Sequence, residues 1–274
     1  MLAATLITLR EGLEAALIVG IVLGVLHKLG PSNRTRAVWA GVLAAIAVSI
    51  AAGLALNALG IAFEGRGEQI FEGVAMVLAA GVLTWMIFWM QRQGRQIQTE
   101  LELDVRQAAV AGSSWALFSL AFVAVVREGI ETVLFLTAAR FSATTSQTLT
   151  GGAIGLAIAV LLGWLMFATG RRLNVRAFFR ATGFLLILFA AGLVAHGVHE
   201  LQEAGIIPTI IEHLWDVNPV LDESGPVGTF LKALFGYNGN PSLIEVFSYL
   251  GYYLAIYLAT RLSWRRRATP APAA

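Results

Sequence analysis

The sequence contains no cysteine, which excludes disulfides, thiolate zinc sites and iron–sulfur clusters. Any bound metal is therefore expected on oxygen or imidazole. Charge is scarce as well: 19 Lys+Arg and 17 Asp+Glu make 13% of 274 residues. That is about half the usual fraction and too little to cover a water-facing surface. No nucleotide-binding loop of the form G-x-x-x-x-G-K-[ST] occurs, so ATP drive within this chain is excluded. The first apolar run has no basic region before it and no convincing cleavage site, and reads as a retained span rather than a signal peptide. The net charge is +2, but no basic stripe with interleaved aromatics is present, and nucleic acid is not an expected partner.

What the chain does have is long apolar runs, 57% of its residues being apolar. Seven segments stand out, at 2–26, 37–59, 70–90, 113–139, 149–169, 181–201 and 244–262. Each is close to the roughly 20 residues a helix needs to cross about 30 Å of hydrocarbon. The strict alternation of a membrane β-barrel is missing. The expected fold is an all-α polytopic membrane protein with seven transmembrane helices in a lipid bilayer.

Basic residues sort the connections into two sets. Fourteen, from Lys28, Arg34 and Arg36 to Arg265, Arg266 and Arg267, fall on one side, and only Arg66, Arg140 and Lys232 on the other. The positive-inside rule then puts the N-terminus outside and the C-terminus in the cytoplasm. Ten acids between Glu64 and Glu245 lie towards the outer face, which would concentrate cations. Residues 91–110 read as a partly helical cytoplasmic connector. Residues 203–243 read as a long outer loop, with an interfacial helix over Ile206, Ile207, Ile210, Ile211, Leu214 and Trp215. The tail Thr269-Pro270-Ala271-Pro272 reads as a short disordered end.

Charges also occur inside the spans. Arg10-Glu11-Gly12-Leu13-Glu14 in span 1 matches Arg127-Glu128-Gly129-Ile130-Glu131 in span 4, 117 positions on. Three spans separate the copies, so their helices cross in opposite directions. This is the arithmetic of a 3+3 inverted repeat plus one additional C-terminal helix. The expected organisation is 1–110 for the first three-helix repeat and its connector, and 111–202 for the second. The outer loop follows at 203–243, then the seventh span and basic tail at 244–274. On a helix, Glu11 and Glu14 share a face at i, i+3, while Arg10 can pair with Glu14 at i, i+4. Two such helices would present four carboxylates and two guanidiniums, with Gly12 and Gly129 allowing close approach. Ionised carboxylates in lipid demand partners, and a multivalent cation is one. The competing reading is a pair of buried ion bridges that only lock helices together.

Weaker candidates lie at the outer end. Glu72 can join Glu64 and Glu68 in a vestibule, or be a solvated interfacial acid. His196, His199 and Glu200 close span 6, with His196 and Glu200 at i, i+4, and can be an accessory site or ordinary aqueous helix capping.

With its doubled R-E-G-x-E, the sequence resembles the oxidase-dependent iron permease family over nearly its whole length. Thr84-Trp85-Met86 in span 3 and the run Gly197 to Gly205 carry the resemblance further. The resemblance implies iron uptake across a plasma or bacterial inner membrane, with Glu11, Glu14, Glu128 and Glu131 contacting iron and Arg10 and Arg127 as charge partners. It also implies an extracytoplasmic iron-handling or oxidase partner, with iron as substrate rather than a permanently bound cofactor. It leaves open Fe²⁺ against Fe³⁺ and homo-oligomerisation. A transporter of another divalent or heavy metal is the alternative, because carboxylates discriminate poorly. A membrane enzyme with a carboxylate- or His-bound catalytic iron is a third reading, weakened by the absence of any Glu-x-x-His.

Overall fold

The computed structural model describes residues 1–30, 34–141, 143–169, 174–223 and 225–268. Arg171, Arg172 and the tail from Thr269 lie outside them, as do the side chains of 91–98, Arg92 and Arg95 among them. The described residues form eight helices and no strand: α1 Leu2–Leu29, α2 Thr35–Ala62, α3 Arg66–Val110, α4 Ser114–Phe141, α5 Thr145–Thr169, α6 Val175–Glu203, α7 Pro226–Phe235 and α8 Leu243–Ala268. Six of these (α1, α2, α3, α5, α6 and α8) are long and apolar enough to cross a membrane. At 28 residues α4 matches α1 in length, but Arg127, Glu128 and Glu131 sit at its midpoint. The charges of α1 lie nearer one end and leave a long apolar stretch.

The helices pair by close approach at small residues. Along α1 and α5, Gly12 faces Ala159, Ala16 faces Gly163 and Gly20 faces Phe167, so the two run parallel. Along α2 and α4, Gly41 faces Phe118, Ser49 faces Gly129 and Gly53 faces Val133, again in parallel. By contrast α3 and α6 are antiparallel, with Gly73 on Gly197 and Ile87 on Gly183. Gly12 and Gly129 do leave room for close helix approach, but not of α1 on α4. Each admits a helix from the opposite half of the chain.

One buried cluster draws Ile7, Met76, Leu83, Phe135, Leu186 and Leu193 from α1, α3, α4 and α6. The outward faces stay apolar, with Leu43, Leu54, Val160, Trp164, Phe247 and Leu254 exposed, as a lipid-facing surface requires.

Two expectations change. Span 3 and the connector form one 45-residue helix, about 67 Å long. Its far half stays ordered because Val105, Ala108 and Ala109 are buried against Val22, Leu26, Val38 and Leu117. Residues 206–215 are not helical. Gly205, at φ 68°, ends α6 in the left-handed conformation, and Pro208 follows without a backbone donor. The loop's helix is α7 instead, with Pro226 in its first turn and Gly236 closing it at φ 68°. Gly236 packs directly on Gly192, about 16 Å along α6 from that helix's last residue. Backbone bonds from Leu214 to Pro241 (2.9 Å), Val217 to Gly239 (2.8 Å) and Leu243 to Ile211 (3.1 Å) tie the remainder of the loop together.

The α1–α5 contact is the tightest test of this packing. A Cβ on Gly155 would collide with Thr8 Oγ1 and the Thr5 carbonyl, whereas one on Gly81 would meet nothing within 4 Å. Gly155→Ala is expected to destabilise by about 1–3 kcal/mol and Gly81→Ala to be neutral or slightly stabilising. Thermal unfolding of the two detergent-solubilised variants checks this.

Candidate metal centre

Each R-E-G-x-E element lies within a regular helix, so its residues are placed by the 3.6-residue repeat alone. Arg10 is 2% exposed. Its Nη1 lies 3.0 Å from Glu11 Oε1 and its Nη2 3.1 Å from Glu14 Oε1. On α4, Arg127 Nε donates to Glu131 Oε1 at 3.0 Å and lies 3.9 Å from Glu128 Oε1. The carboxylates themselves are buried.

The two helices bring these groups together. Glu11, Glu128 and Glu131 each offer a carboxylate oxygen within 4.8 Å of the others, the one such group of metal-ligating side chains among the described residues. Glu11 Oε2, Glu128 Oε2 and Glu131 Oε2 are buried with no hydrogen-bond partner. Buried, unpartnered carboxylate oxygens are costly unless a cation or proton meets them. Glu14 Oε1, also buried without a hydrogen bond, stays 3.1 Å from Arg10 Nη2 at the edge of this triad. Three of the four expected carboxylates thus converge, and the fourth is held one helical turn away.

The two arginines are not equivalent. Arg10 is sealed in, with Nη1 3.3 Å from Met86 Sδ and Nη2 3.0 Å from Met90 Sδ. Arg127 has a side chain 38% exposed and lies over the ring of Trp89, 4.5 Å from its centroid. Met86, Trp89 and Met90 share one stretch of α3, so this helix seats both guanidiniums. Sequence reasoning quoted Met86 only for the resemblance and missed Trp89 and Met90. Their spacing reads equally well as lipid-facing or core, and gave no signal.

The outer candidates form no comparable centre. Glu64 and Glu68 are exposed, while Glu72 feels the charges of Glu200, Glu68 and Arg140. Glu72 lies about 21 Å along α3 from Met86, a separate station from the triad. His196 does not pair with Glu200; its Nδ1 lies 3.1 Å from the Gly192 carbonyl. His199 is the bridging residue, 3.3 Å from Glu203 and 3.6 Å from Glu245 on α8. Glu245 is buried and receives Asn238 Nδ2 at 3.0 Å, the Ser242 N–H at 3.4 Å and the partial charge of its own helix start. With Ser242 Oγ accepting the Glu245 N–H at 3.2 Å, this is a capping box. The Ser242-x-x-Glu245 spacing was its available sign.

Among the described residues this is the one tight carboxylate group, and it lies buried in a multi-pass helical protein. The chain belongs to the Iron permease FTR1 family, whose pattern matches residues 1–266. It is 37% identical over 271 residues, 98% of each chain, to the ferrous iron permeases EfeU of Shigella sonnei (strain Ss046) and Escherichia coli O157:H7. It is 34% identical over 276 residues to EfeU of Yersinia pestis, covering 100% of this chain and 98% of that one. No solved structure matches it.

The unequal arginines predict unequal losses. Arg10→Ala leaves buried carboxylates without their partner and is expected to destabilise by about 3 kcal/mol or more. Arg127→Ala also strands the buried Glu131, but from a half-exposed position that water can reach, and is expected to lose less, about 1–2 kcal/mol. Comparing thermal unfolding midpoints in detergent, with Glu14→Gln restoring part of the Arg10→Ala loss, checks the assignment.

Proposed function

We propose that this chain carries ferrous iron inward across a bacterial cytoplasmic membrane through the centre formed by the two R-E-G-x-E helices. The observation that carries the reading is the convergence of Glu11, Glu128 and Glu131 with unpartnered, buried oxygens. Hard oxygen ligands suit Fe³⁺, Mn²⁺, Ca²⁺ or Mg²⁺ and accept the borderline Fe²⁺. Charge balance favours a divalent ion: four ionised carboxylates against two guanidiniums leave two negative charges, which Fe²⁺ neutralises and Fe³⁺ overshoots. In a low-dielectric interior the neutral assembly is the one least penalised. The ferrous iron permeases among the relatives point to the same ion.

The guanidiniums hold carboxylate oxygens that an ion would take, so ion and arginine compete. Binding displaces the arginine bonds, and their return, or protonation of the glutamates, releases the ion inward. A divalent ion gains about 4.6 kcal/mol per 100 mV of inside-negative potential, which supplies direction without ATP. The acidic outer surface around Glu68, Glu72 and Glu200 gathers cations for the centre, and a separate extracytoplasmic iron-handling or oxidase partner presents the iron.

In this reading α4 is a seventh span. Its buried charges face α1 rather than lipid, and its length equals that of α1. A 3+3 inverted repeat is supported by the exchange of helices: α1 pairs with α5 as α4 pairs with α2, and α3 pairs with its counterpart α6. The N-terminus is then outside and the basic C-terminus in the cytoplasm.

Uptake of radiolabelled iron into cells or proteoliposomes tests the function. Glu14→Ala and Glu131→Ala are each expected to lower the rate by about tenfold or more, and wild-type rates in both would refute the shared site. Zn²⁺ or Mn²⁺ competing as well as unlabelled Fe²⁺ would favour a general divalent carrier. The chain's lack of cysteine makes topology directly testable. A membrane-impermeant maleimide added outside is expected to label Ser146→Cys and to spare Gln107→Cys, both at exposed positions; the opposite pattern reverses the orientation.

A further inference from the structure

The atoms around the Arg10 guanidinium are of two chemical kinds. Nη1 lies between Glu11 Oε1 at 3.0 Å and Met86 Sδ at 3.3 Å, and Nη2 between Glu14 Oε1 at 3.1 Å and Met90 Sδ at 3.0 Å. Two carboxylate oxygens and two thioether sulfurs thus converge on one buried cation. For a guanidinium this seat is poor. Thioether sulfur is a weak hydrogen-bond acceptor, and Arg10 Nε is buried with no partner. For a metal ion the same four atoms are donors of a suitable kind. Mixed oxygen and thioether ligation suits a softer divalent ion and disfavours hard Fe³⁺ or Mn²⁺.

Repeat symmetry does not account for the sulfurs. Arg127, the counterpart of Arg10, rests on the face of Trp89. The two methionines are one helical turn apart on α3 and serve one half of the centre alone.

We propose that Glu11, Glu14, Met86 and Met90 form a second cation seat, filled by the Arg10 guanidinium, into which a ferrous ion passes from the carboxylate triad when Arg10 withdraws. The inference rests on the iron-transport reading and adds a second, sulfur-containing station to it. Glu11 belongs to both stations: its Oε1 faces Arg10, while its Oε2 is the unpartnered oxygen of the pair. The ion therefore needs to cross only the width of one carboxylate. No electron moves in this step, and two carboxylates balance Fe²⁺ in the seat as two positive charges require. The sulfurs make this the station that discriminates between cations. The expectation that oxygen and imidazole alone can hold a metal here left these thioethers out of account.

The test uses Fe²⁺ under reducing conditions on the purified full chain, with Met86→Leu/Met90→Leu as a volume-conserving change. Arg10→Gln opens the seat, and X-ray absorption at the iron edge is expected to show sulfur neighbours at about 2.3–2.4 Å. Those neighbours are expected to vanish when both methionines are also leucine. In proteoliposomes of the otherwise native chain, the Mn²⁺ excess needed to halve Fe²⁺ uptake is expected to fall about tenfold in Met86→Leu/Met90→Leu. Oxygen-only scattering in Arg10→Gln overturns the seat, as does unchanged Mn²⁺ competition in the leucine variant. An unmodified chain that carries no iron in the same vesicles overturns the transport reading along with it.

Discussion

Six charges placed among apolar helices constrain the rest of this molecule. Arg10, Glu11, Glu14, Glu128 and Glu131 are buried, and burying an ion without a partner costs several kcal/mol. The charges must therefore face one another, and α1 and α4 must be held at a fixed separation and register for that to happen. The glycines show how. Gly12 lies one residue from Glu11 and admits Ala159 of α5; Gly129 lies one residue from Glu128 and admits Ser49 of α2. Each charged segment is thus braced from behind by a helix of the other half. Loosening either brace moves carboxylates relative to guanidiniums, so helix packing and charge pairing act as one constraint.

That exchange of braces also gives the two halves a common frame without making them identical. The α1–α5 and α2–α4 contacts correspond in kind and direction, yet α3 alone carries the arginine seats. In the second half, α6 presents Gly197 and Glu200 near its end and a histidine that bridges to α8. A shared scaffold with one chemically distinct helix offers unequal environments to two otherwise matching motifs.

Much of this was legible in the sequence because the signals are strong and local. Apolar length marks a span irrespective of what packs on it, and a doubled charged motif inside such spans has few innocent explanations. The pairing of Arg10 with Glu14 and of Arg127 with Glu131 follows from the i, i+4 geometry of a helix. What stayed hidden depends on tertiary contact. The continuation of α3 through 91–110 is secured by the end of α1 and the starts of α2 and α4, which no local pattern names. Apolar spacing over Ile206–Trp215 suggested a helix, but Gly205 and Pro208 break the backbone there. The Pro226 and Gly236 boundaries, rather than the apolar count, decided where the loop's helix formed. Met86, Trp89 and Met90 were indistinguishable from ordinary apolar filling until Arg10 and Arg127 were seen against them.

In the transport proposed above, the difference between the arginines bears on how an ion leaves the centre. Four carboxylates alone would hold a divalent cation too firmly to pass it on, and a barrier of each further 1.4 kcal/mol slows release tenfold. A guanidinium within 3.1 Å of the same oxygens lowers that affinity because the ion must displace it to bind. Arg127, half exposed and resting on an aromatic face, can give up Glu131 and find water and the Trp89 ring in exchange. Arg10 is buried away from water, its partners being Glu11, Glu14, Met86 and Met90, so it moves only after Arg127 has yielded. In the proposed transport, Arg127 is therefore the counter-ion that yields first to an incoming cation, and Arg10 the one whose return to Glu11 and Glu14 makes release complete.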